Sequence, residues 1–174
     1  MEQALFFAGG RRLAIRGALG GLHVADLDTG KERYVVSHAK LVALSSDEQT
    51  FAVWKPGEHS ANKLLWDGQV IGNNLDGSIL LLDCATGNQK IQIAVPGPGV
   101  WAMAFSPDGK ALAATTGWEE GRIHLYDVAT GKETRTITTP PLRKSVIAFT
   151  PDGSRIVSGM ADTSVLVWDL RSDP

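Results

Sequence analysis

The feature that most restricts what this chain can fold into is that it repeats itself. Phe105-Ser106-Pro107-Asp108-Gly109 returns as Phe149-Thr150-Pro151-Asp152-Gly153, 44 residues later. Asp83-Cys84-Ala85-Thr86-Gly87-Asn88 returns as Asp127-Val128-Ala129-Thr130-Gly131-Lys132 at the same spacing, with an earlier copy at Asp26-Leu27-Asp28-Thr29-Gly30-Lys31. The step from Asp127 to Asp169 is 42 residues. Self-similarity at a fixed period of about 40–45 residues means stacked copies of one supersecondary unit, each too small to bury a core alone.

The unit reads as four short strands. An apolar strand (Val100 to Phe105, Ser145 to Phe149) runs into a Ser/Thr-Pro-Asp-Gly turn. There proline presets φ at the second position and glycine suits the last, so the chain reverses tightly. A second strand of small and β-branched residues follows (Ala111 to Thr116, Arg155 to Ser158), and then a third ending in aspartate. Ile123-His124-Leu125-Tyr126-Asp127 aligns with Val165-Leu166-Val167-Trp168-Asp169, Ile79-Leu80-Leu81-Leu82-Asp83 and Leu22-His23-Val24-Ala25-Asp26. The third strand is apolar at adjacent positions, as expected of strands buried on both faces. After a Thr-Gly turn, a fourth strand such as Lys132 to Thr138 carries the charge. No segment of helical period competes. The expectation is an all-β chain of four propeller blades.

The Phe-Ser-Pro-Asp-Gly and Val-Trp-Asp motifs resemble the WD40 repeat family, and Ser158 to Asp169 is a close match. The resemblance covers nearly the whole chain, strongest in the third and fourth repeats and weakest in the second. It implies one domain over residues 1–174, with repeats at about 2–38, 39–95 (an insertion at 55–74), 100–138 and 144–174. The style is similar to bacterial WD40 arrays, which are often appended to kinases or sigma factors. It also implies a buried polar tetrad of His, Ser/Thr, Asp and Trp, for which His38, Ser158, Asp162 and Trp168 are the matching residues. The set is scattered: Pro140-Pro141-Leu142 stands where the histidine before the fourth repeat belongs, and Leu82 where the second repeat's Trp belongs.

The insertion follows from the 57 residues between Asp26 and Asp83. Within it, Lys63 to Ile71 sets two apolar runs around Asp67-Gly68, a strong hairpin signal. The last repeat ends at Asp169 with only Leu170 to Pro174 beyond it, so it is expected to lack its outer strand. An open arc with a free edge follows: a partial propeller or half of a larger ring, completed by further repeats or by self-association.

Composition excludes several classes. A net charge of -2 supplies no basic field for a phosphate backbone, which argues against nucleic acid. No apolar run approaches a membrane span, and Met1 to Gly10 has no basic leader region, so no membrane role and a cytoplasmic location are expected. Cys84 is alone, so no internal disulfide and no cysteine-built metal site can form. His23 and His124 share one strand position two blades apart and read as packed or solvated strand residues rather than metal ligands. Asp26, Asp28, Gly30 and Glu32 imitate a calcium loop, yet the equivalent turn forms with Ala129 in place of Asp28. No Gly-x-Ser-x-Gly elbow and no dinucleotide fingerprint occurs. No metal, cofactor or catalytic residue is expected.

What remains is aromatic. Trp66 in the insertion, Trp101 at an inner-strand start and Trp118 in a between-strand turn are expected on one face, beside Arg143 and Lys144. Tryptophan buries a large area at little entropic loss and is enriched at binding hot spots. Trp54 and Trp168 read as structural. The resulting expectation is a non-catalytic scaffold for protein–protein interaction. The alternatives are a quinone-cofactor propeller enzyme, whose repeats share the Thr-Gly-Lys turns but carry a Trp where Tyr34, Ile91 and Ile137 stand, and a structural spacer of a longer regulatory protein.

Overall fold

The computed structural model describes residues 3–17, 21–57, 77–95, 99–116, 121–141 and 144–171, with the side chains of residues 144 and 145 excepted. Each repeat becomes one antiparallel sheet, and no helix occurs among the described residues. The first sheet is β1 (Gln3–Phe7), β2 (Arg12–Arg16), β3 (Gly21–Asp26) and β4 (Lys31–Ser37). The second is β5 (Leu41–Leu44), β6 (Thr50–Pro56), β7 (Gly77–Asp83) and β8 (Gln89–Val95). The third is β9 (Val100–Phe105), β10 (Ala111–Thr116), β11 (Arg122–Asp127) and β12 (Glu133–Thr138). The fourth has three strands among the described residues, β13 (Lys144–Phe149), β14 (Arg155–Met160) and β15 (Val165–Asp169). Strand order follows chain order in every sheet, and no sheet closes on itself. The expected all-β blade architecture is the observed one.

The turns between the first two strands of the second, third and fourth sheets hold because one hydroxyl and one carboxylate satisfy the backbone where the hairpin reverses. Ser106 Oγ donates to Asp108 Oδ1 (2.6 Å) and accepts from the Ala111 amide (2.9 Å); Thr150 and Asp152 repeat this before Arg155. The second sheet makes the same turn from Ser45, Ser46, Asp47 and Glu48, with Ser45 Oγ on Asp47 at 2.6 Å. It has neither proline nor glycine, so Glu48 takes the left-handed backbone (φ 58°) that Gly109 and Gly153 supply elsewhere. Glu48 is compensated across the blades: the Ala8 amide donates to its carboxylate at 2.6 Å.

Each sheet has a face toward the following sheet and a face toward the preceding one, and strand periodicity divides the side chains between them. The third strands show this plainly. Leu22 and Val24 face forward and pack with Phe51, Val53, Leu80 and Leu82 of the second sheet. Ile79 and Leu81 face forward onto Leu112, Ala114 and Tyr126. Ile123 and Leu125 face forward onto Ile147, Ile156 and Trp168. The core is therefore three interblade junctions rather than one centre, and the first strands β5, β9 and β13 lie successively side by side. Turn glycines seal these junctions. A Cβ on Gly131 (φ 71°) would lie 2.6 Å from Ile91 on the preceding outer strand, and one on Gly87 2.6 Å from the Tyr34 ring.

The stretch between β6 and β7 is where the additional residues of the second repeat fall, since Pro56 pairs with Gly77. The hairpin expected at Lys63 to Ile71 lies outside the described residues.

Candidate functional site: the strand-start end and the polar positions of the blades

Two groups of residues were singled out by sequence, five for binding and four for a polar tetrad. Of the binding group, Trp66, Trp118 and Arg143 lie outside the described residues. Trp101 sits in β9, half-buried, and Lys144 opens β13. The described residues that bracket the others share an end of their sheets with these two. Pro56 and Gly77 pair at one end of the second sheet. Thr116 pairs with both Val100 and Arg122 at one end of the third, beside Trp101. Lys144 pairs with Met160 at the start of the fourth.

Of the tetrad group, the structure joins two. Trp168 Nε1 donates to Ser158 Oγ at 3.0 Å, and Ser158 is fully buried. Asp162 accepts instead from the Ser164 amide (3.0 Å) and hydroxyl (2.6 Å) of its own turn, which holds its carboxyl below the ordinary range. His38 is exposed with φ 60°, and its ring makes no hydrogen bond among the described residues. Register explains why no other blade forms the Ser158–Trp168 bond. The positions of Ser158 and Trp168 are filled by Ala114 and Tyr126 in the third sheet and by Val53 and Leu82 in the second. The second sheet is thus apolar at both. The third keeps a phenol but no acceptor, and the buried Tyr126 hydroxyl has no hydrogen-bond partner among the described residues. Burial pushes that phenol up to about 12.

The paired histidines differ in their surroundings. His124 is buried, its Nε2 2.9 Å from Thr116 Oγ1 and its Nδ1 3.2 Å from Glu133. His23 is half-exposed and pairs with Glu32 at 2.8 Å. Asp26, the first residue of the calcium-like spacing, accepts from the Thr29 amide and hydroxyl at 3.0 and 2.9 Å. Among the described residues no three His, Cys, Asp or Glu side chains gather as metal ligands would. Cys84 is buried in the first junction, and burial lifts its thiol to about 12, far from a reactive thiolate. Sequence reasoning missed the groove of about 660 Å³ between the third and fourth sheets, lined by Pro107, Asp108, Lys110, Phe149, Pro151 and Leu170. Its carboxylates are held by their own turns, Asp108 by Ser106 and Asp152 by Thr150 and Ser154. Among the described residues no helix is long and apolar enough to cross a membrane.

Among the described residues the arrangement offers surfaces and junctions rather than a cluster of metal-ligating groups. The family profile described as WD domain, G-beta repeat matches residues 89–127 and 131–169. Each match begins with the outer strand of one sheet and ends with the third strand of the next, so the sequence repeat is offset by one strand from the sheet. No curated protein matches the chain. The match covers two repeats, and the Ser/Thr-Asp turn within it is shared by the second, third and fourth sheets; together these support a WD40-repeat family for this chain.

Proposed function

We propose that the chain is a non-catalytic scaffold that binds a protein partner through the end of the sheets carrying Trp66, Trp101, Trp118, Arg143 and Lys144. The observation that carries the reading is that two of its repeats match a family whose repeats generally mediate protein–protein interaction. The chemistry of these residues supports the choice of face. Three indoles beside two cations are the hot-spot composition of an interface core and rim, and connecting segments carry recognition where the strands supply a rigid base. We further propose that residues 1–174 form a single repeat domain and that it works in the cytoplasm, which suits a chain whose lone cysteine is buried and unbridged. Self-association, argued below, would display the binding face twice.

The test is partner capture by the immobilised chain, compared with a Trp66→Ala/Trp118→Ala variant of unchanged circular dichroism. Loss of the captured protein is expected. Unchanged capture would discard this face in favour of a spacer role, and a quinone chromophore in the purified chain would favour the enzyme reading.

A further inference from the structure

Every large hydrophobic side chain exposed among the described residues lies on the first or fourth sheet. On the first these are Phe6 (64%), Ile15, Leu27 and Val35; on the fourth, Val146, Val165 (63%) and Val167 (58%). Register shows what these residues are. Val165 and Val167 pair with Gly159 and Val157, and so hold the positions of Ile123 and Leu125, Ile79 and Leu81, and Leu22 and Val24. All six of those are at most 7% exposed, because a following sheet covers them. On the first sheet, Phe6 holds the position of Leu44, Phe105 and Phe149, and Leu27 that of Cys84, Val128 and Leu170, each packed against a preceding sheet. Among the described residues, the forward face of the fourth sheet and the backward face of the first are uncovered. All three junctions inside the chain are made by pairing such faces.

We propose that the forward face of the fourth sheet docks on the backward face of the first sheet in a second copy of this chain, so that two copies close one ring of eight blades. At the junction between the first and second sheets, Phe7, Ala14, Leu22 and Val24 meet Phe51, Leu80 and Leu82. The valines of the fourth sheet would likewise meet Phe6, Ile15 and Leu27. A polar feature points the same way. The exposed His23–Glu32 pair stands at the register position of His124–Glu133, whose histidine is buried where the second sheet packs on the third. Head-to-tail contacts either close or run on into filaments. Eight blades lie within the range propellers adopt, and twelve do not.

Equivalent residues choose the test. Val24 with Val53, and Leu81 with Ala114, share the internal junctions at the positions that Val167 and Ile15 would take between copies. A Val167→Cys chain is mixed with an Ile15→Cys chain under mild oxidation, with the wild type, whose Cys84 is buried, as control. Predominant disulfide between the two variants is the expected result. Val167→Cys chains that cross-link to one another as readily would show a face meeting itself and overturn the proposal. Sedimentation supplies the second arm. The wild-type chain is expected to dimerise, and Val167→Lys to weaken the dimer about tenfold or more, the loss of roughly one buried aliphatic contact. Val167 is already exposed in the single chain, so its substitution leaves the fold intact. A wild-type chain that stays monomeric at about 100 μM, or a Val167→Lys chain that dimerises as before, would overturn the proposal and leave these faces to other occupants.

Discussion

Deleting the Ser158 hydroxyl separates a structural hydrogen bond from mere packing, because the chain carries its own controls at the same register. Ser158 is fully buried and receives Trp168 Nε1 at 3.0 Å. Ser158→Ala leaves the indole N–H without its acceptor. An unmade bond to a buried donor costs about 1–3 kcal/mol, and the partial exposure of Trp168 puts the expected loss near the lower end, about 1 kcal/mol. Trp168→Phe alone loses the same bond together with part of the packing against Ile147 and Ile156. In the double variant neither partner remains to be left unsatisfied, as at Val53 and Leu82 in the second sheet. The double-mutant cycle is therefore expected to show a coupling of about 1 kcal/mol. Urea unfolding followed by far-ultraviolet circular dichroism, at one fixed protein concentration, measures it. Additivity within about 0.3 kcal/mol would refute the bond as a contributor to stability.

Other outcomes follow from single features. Tyr126→Phe removes a buried hydroxyl without a partner and is expected to raise the urea midpoint, by roughly 1 kcal/mol of stability. Thr163→Gly relieves a β-branched residue held at φ 73° in an exposed turn and should stabilise by about 1 kcal/mol, whereas Gly131→Ala should destabilise by more than about 2 kcal/mol, because a positive φ and a 2.6 Å approach to Ile91 act together. Both are read from the same urea curves, and a neutral Gly131→Ala would show that the turn does not seal the junction. The turn carboxylates of Asp47, Asp108 and Asp152 sit below the ordinary range because hydroxyls and amides donate to their ionised form. They bind protons less readily folded than unfolded, so their contribution is complete above the unfolded value of about 4 and is lost as pH falls through the lower folded values. Their contribution to the urea midpoint should be constant above about pH 5 and fall below about pH 4, less steeply after Asp108→Asn.

The turns and third strands were legible from sequence because their chemistry is local. Asp108 and Thr130 act within a few residues of their own hairpins, and the 44-residue echo repeats them. The turn at Ser45 to Glu48 escaped notice because it keeps the hydroxyl and carboxylate but replaces both punctuating residues, with Glu48 adopting a glycine's backbone. The tetrad was only half legible, since whether a serine meets an indole depends on register across two strands. Ser158 and Trp168 satisfy it, whereas Asp162 is held by its own turn. His23 and His124 show the sharper limit. Their sequence positions are the same, yet His124 is buried and meets Thr116 and Glu133, whereas His23 is half-exposed beside Glu32. Trp101 and Lys144 lie near the starts of β9 and β13, but an interface is a property of two molecules and no local pattern encodes the second.

Small-angle X-ray scattering tests most directly whether this arc of blades is completed by its own copy. At a concentration where sedimentation gives twice the mass of the chain, a closed ring of two 174-residue copies is expected to scatter as one compact particle, with a radius of gyration of about 20 Å. An elongated particle of the same mass, with one face pair joined and the other still open, or a series of sizes growing with concentration, would contradict closure.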